Sequence, residues 1–126
     1  MTMATITEDY VSFETATLLK EKGFEGFTMF SYSTNGATMC GHWENETDWL
    51  PKCTLQMAMK WLREIHNIVV EPFIREDTKY VWYIHRIEII FNKKYLVFCW
   101  GSKNNKYERY EEACEAAIKY CLEHLI

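Results

Sequence analysis

Runs of basic charge are missing from this chain. The longest is the pair Lys93-Lys94, and 14 basic residues are outweighed by 18 acidic ones, for a formal charge of -4. Such a balance gives no general attraction to a phosphate backbone and argues against nucleic acid as a partner. Long apolar runs are missing too: no segment approaches the ~20 apolar residues that a spanning helix needs. The start, MTMATITEDY, has neither the cationic nor the apolar part of a secretory leader. The expectation is a cytoplasmic protein whose five cysteines stay reduced. Their odd number fits free thiols better than a disulfide framework. On one helix, Cys114 and Cys121 would sit ~10 Å apart along the axis, too far to bridge. Glycine is scattered, five residues forming neither G-x-G-x-x-G nor G-x-x-x-x-G-K, so no phosphate cradle is evident. Repeats, low-complexity tracts and linkers are absent as well.

What is present builds a core. Hydrophobic residues make up 48% and aromatics 16% of 126 residues, which points to a single globular domain, 1–126. Ser12 as N-cap, Glu14 in the first turn and Gly23 as the stop predict a helix over 13–22. In FTMFSYSTNGATMCGHW, Asn35-Gly36 predicts a two-residue type I′ hairpin loop. That register pairs Thr34 with Ala37, and it places Tyr32 opposite Met39 and Phe30 opposite Gly41 on the core side. Ser33 with Thr38, Ser31 with Cys40 and Met29 with His42 then face outward. A second helix runs from the Thr54 cap to the Asn67 stop, with Leu55, Ala58, Met59, Leu62, Ile65 and His66 as its buried stripe.

Three strand-like runs follow, at 68–74, 80–90 and 94–100. Pro72 puts the first at a sheet edge or ends it early, and Phe91-Asn92-Lys93 turns between the last two. In the long strand, Val81, Tyr83, His85, Ile87 and Ile89 make the expected core face, with Tyr80, Trp82, Ile84, Arg86 and Glu88 on the other. A last helix over about 110–124 carries the stripe Tyr110, Cys114, Ala117, Ile118, Cys121 and Leu125. The order α-β-β-α-β-β-β-α describes an α+β domain with a largely antiparallel sheet packed by helices.

Three phrases, YVSFETATLLKEKGF (10–24), TLQMAMKWLREIHNI (54–68) and YEEACEAAIKYCLEHLI (110–126), occur in an order and spacing that resemble a set of small proteins of gut-anaerobe bacteria, their prophages and mobile elements. One local departure is Arg109, where a hydroxyl cap would be expected before the last helix. The resemblance implies a setting, phage or mobile DNA in a bacterial cytoplasm. It brings no catalytic motif and no functional residue with it.

Chemistry is sparse. Cys40, His42 and Cys53 invite a metal-site reading, but closed zinc sites take four ligands, most often in paired knuckles. Here the cysteines are thirteen positions apart, and a fourth ligand would have to come from Asp48, a glutamate or a distant residue. Cys40 and His42 as nucleophile and base would lie ~6–7 Å apart along one strand, marginal for direct contact. No catalytic residue and no cofactor is assigned. Aromatics remain. Tyr80, Trp82 and Arg86, with Trp100, have the composition of interface anchors, unless a helix covers that face. The function expected is non-enzymatic protein binding, with another protein or a second copy as partner and, in a phage setting, inhibition of a host protein. The alternatives are a single-stranded nucleic-acid module stacking bases on Tyr80, Trp82 and Trp100, or a small metal or Cys/His protein at Cys40 and His42.

Overall fold

The computed structural model describes residues 6–26, 28–40 and 49–126. Its order is α1 (Phe13–Glu21), β1 (Phe30–Tyr32), β2 (Thr38–Cys40), β3 (Leu50–Lys52), α2 (Leu55–His66), β4 (Ile68–Ile74), β5 (Tyr80–Ile90), β6 (Lys93–Gly101) and α3 (Tyr110–His124). The α+β class holds, with one strand more than expected. The strands form two antiparallel three-stranded sheets, β2-β1-β3 and β4-β5-β6.

The helix ends follow local chemistry. Ser12 Oγ accepts from Thr15 N, and Thr54 Oγ1 accepts from Met57 N, so both caps satisfy amides that the first turn leaves unpaired. At the end of α1, Gly23 N donates to Lys20 O and Phe24 N to Leu19 O. That double bond pattern needs the left-handed backbone of Gly23, φ 87°. Asn67, φ 56°, ends α2 as expected. Arg109 offers α3 no side-chain cap; Glu111 and Glu112 in the first turn compensate through the helix dipole.

The first hairpin differs from its expected register by one residue. Phe30 pairs with Cys40, Ser31 with Met39 and Tyr32 with Thr38. Ser33 N donates to Ala37 O and Gly36 N to Ser33 O, so the loop holds three residues, and Gly36 alone is left-handed there (φ 88°). A three-residue loop ending in a left-handed glycine competes closely with the two-residue turn. The slip turns every side chain over: Ser31 goes inside, and Cys40 is exposed as before but on the face of Phe30. The partners expected at Gly41, His42 and Trp43 lie outside the described residues. The extra strand, β3, is three residues around Pro51 on the open side of β1. Proline is tolerated there because an edge strand needs no donor on its outer side.

α3 is the spine of the molecule: it packs on α1, α2, β4 and β5. Ala113, Cys114, Ala117, Ile118, Cys121 and Leu122 are buried along it, against Leu19 of α1, Leu62 of α2, and Ile68, Trp82 and Ile84 of the second sheet. In α2, Leu55, Ala58, Met59 and Leu62 are buried as expected, whereas Ile65 is exposed and His66 only partly covered.

Candidate interaction surface

The residues proposed as an outward patch lie under α3. Trp82 is 5% exposed, its ring 5.2 Å from that of Tyr120. Tyr80 meets the Tyr110 ring edge-on and bonds Tyr107 through both backbone groups. Arg86 donates from Nη2 to Leu125 O at 2.7 Å, and its guanidinium lies 5.9 Å from the Trp100 ring centre. All four belong to or pack on the intramolecular core. From Trp82 to Ile89 the two faces of β5 are therefore inverted relative to expectation, whereas Val81 is buried as expected, and Tyr80, Trp82 and Trp100 form no open platform on which bases could stack.

The metal alternative also separates. Cys40 is exposed on β2, at one edge of the first sheet. Cys53 follows β3 at the opposite edge, 3% exposed, its carbonyl accepting from Val11 N. Burial pushes the Cys53 thiol up to about 12, far from the thiolate that metals require. His42 and Asp48 lie outside the described residues, and among those described no group of three or more ligating side chains could hold a metal ion.

A concavity of about 710 Å³ opens where the N-terminal ends of all three helices meet. Several of its charged groups are engaged within the chain. Lys52 Nζ sits between 5.2 and 6.0 Å from the ring centres of Tyr10, Phe30 and Tyr32. Glu115 Oε1 accepts from Thr15 Oγ1 and Ser12 N, and Arg109 pairs with Asp9.

Exposure is concentrated elsewhere. β4 ends at the pair Ile68 with Arg86, yet β5 and β6 continue as a two-stranded arm, from Ile87 with Leu96 to Ile90 with Lys93. Ile89, Ile90, Phe91, Tyr95 and Leu96 on this arm, with Val97 and Phe98 at its base, are all exposed large hydrophobics. Alternation from the observed register places Ile87, Ile89 and Leu96 on the face away from the helices, and Ile90 and Tyr95 on the other. Phe98 stacks beside Trp100, ring centres 5.7 Å apart. Val97 is the extra residue of a bulge opposite Arg86 and Ile87.

The tip is unusual. Phe91 and Asn92 form a two-residue turn with φ 51° and 63°, the pair of positive angles that a type I′ turn demands. Asparagine tolerates that region, but a bulky residue there carries a cost of roughly 1–2 kcal/mol. Phe91 nevertheless occupies it with its ring 95% exposed.

The arm runs on into the uncovered face of the second sheet, where Tyr83 and Phe73 are exposed. A hollow of about 350 Å³ lies between Val69, Glu71, His85, Ile87 and Leu96. His85, expected in the core, lies here with Nε2 3.3 Å from Glu71 Oε2. The sequence reading placed Val81, Tyr83, His85, Ile87 and Ile89 on one face and took that face for the interior; of these, Val81 alone is buried. The signal for the arm itself was β5 and β6 outlasting β4 by several residues. No family model matches the chain, and neither a curated protein nor a solved structure matches it.

Proposed function

We propose that this chain is a protein-binding module that acts through the β5–β6 arm and the adjoining uncovered sheet face. The observation that supports it best is Phe91. A fully exposed phenylalanine in a left-handed turn loses backbone energy and gains nothing within its own chain. Strain of this kind is kept where the residue serves a contact outside the fold. The six further apolar residues behind it make a surface of interface composition, with aromatics prominent. In the phage or mobile-element setting that the resemblance implies, a host protein is a fitting target.

The test compares wild type with the double variant Leu96→Asp, Phe98→Asp in affinity capture from a bacterial lysate and in sedimentation. A partner, foreign or a second copy, held by the wild type and lost by a variant that still unfolds cooperatively supports the proposal. The same partner retained by the variant overturns it.

A further inference from the structure

Resting on that reading, we infer that the arm's partner is a second copy of this chain, the two arms interwinding about a two-fold axis and continuing onto the uncovered sheet faces. Area is the first argument. The seven exposed apolar residues of the arm present on the order of 900 Å² at the areas usual for such side chains, against about 800 Å² per partner in a standard interface.

Shape is the second argument. The arm is apolar on both broad faces, so a flat partner would leave one of them wet. Two-stranded ribbons twist strongly, and two ribbons of identical twist can wrap each other, each burying the same residues by symmetry. The open edge of β6 is the alternative route to a second copy, but it is guarded. Lys93 and Lys94 stand at its start and the Val97 bulge interrupts its middle, both devices that discourage strand addition. Side-chain packing between broad faces, and not sheet extension, is what the arm is built for.

The experiment is sedimentation of the full chain over a range of micromolar concentrations. The wild type is expected at twice the monomer mass, and Leu96→Asp with Phe98→Asp at the monomer mass, with self-association weakened by at least about tenfold. Phe73→Ser, on the uncovered face, should weaken it by less. Should the double variant fold poorly, hydrogen exchange on the wild type decides: on concentrating the sample, amides of 87–98 should slow while those of α2 do not change. A wild type that sediments as a monomer at every concentration overturns the self-association and leaves the protein-binding proposal standing. A dimer whose strength is unchanged in the double variant, or whose arm exchange ignores concentration, overturns the arm as its interface.

Discussion

At the scale of single residues, burial separates the five cysteines into two chemical classes. Cys53 and Cys121 are pushed up to about 12 and Cys114 to about 11, in each case chiefly by desolvation of the thiolate. Cys40 and Cys99 are exposed on strands. A disulfide-exchange reagent should therefore titrate two thiols on the native protein and all five in denaturant; three or more fast thiols in the native state would contradict the burial of Cys53, Cys114 or Cys121. His66 is a second residue whose surroundings set its chemistry. Partial burial first, and the Arg86 charge second, hold its pKa below the ordinary 6.5, and the Trp61 ring stands 4.6 Å away. A base with a depressed folded pKa binds fewer protons folded than unfolded as pH falls below 6.5. Stability should therefore decline from that pH downward, and His66→Gln should flatten this part of a pH series of thermal melts. An identical slope in the variant would assign the decline elsewhere.

At the scale of elements, the arm tip and the α2 cap make opposite predictions. Removing the Thr54 hydroxyl, which accepts from Met57 N, should cost about 1 kcal/mol. Phe91→Gly should instead stabilise the monomer by on the order of 1 kcal/mol, because glycine relieves the left-handed strain. The same change should weaken self-association, and a stabilised variant that associates as well as wild type would sink the role given to Phe91. Elements of this kind were legible in the sequence where short-range chemistry decides them. The caps at Ser12 and Thr54, the stops at Gly23 and Asn67, the strand at 68–74 and its edge position all rest on neighbours within a few residues. Two features were not. The hairpin at Asn35-Gly36 could close with two or three residues, and the choice falls to packing of Ser31 against β3. The faces of β5 are almost equally apolar, so alternation says which residues travel together but not which side α3 will cover. Arg86 tipped the reading toward solvent. Its long side chain instead runs along the covered face to the carbonyl of Leu125, as arginine stems often do.

At the scale of the whole molecule, α3 joins α1, α2 and the second sheet in one core, and a cooperative single unfolding transition is the consequence. Trp82→Ala removes a large side chain from the contact between α3 and the second sheet, and it should cost about 3–5 kcal/mol. The interface residues predict something different. If the arms are covered only in a dimer, folding and association are linked, and a partner that binds only the native state raises stability with its own concentration. The wild-type melting temperature should then rise as protein concentration rises. In Leu96→Asp with Phe98→Asp it should be independent of concentration, at a value set by the monomer, in which the Phe98 ring stacks beside Trp100. Calorimetry over a hundredfold concentration range decides between the two behaviours. A wild-type melt that does not move with concentration would mean that the arm's apolar faces stay open in the free protein, and that whatever covers them is not this chain.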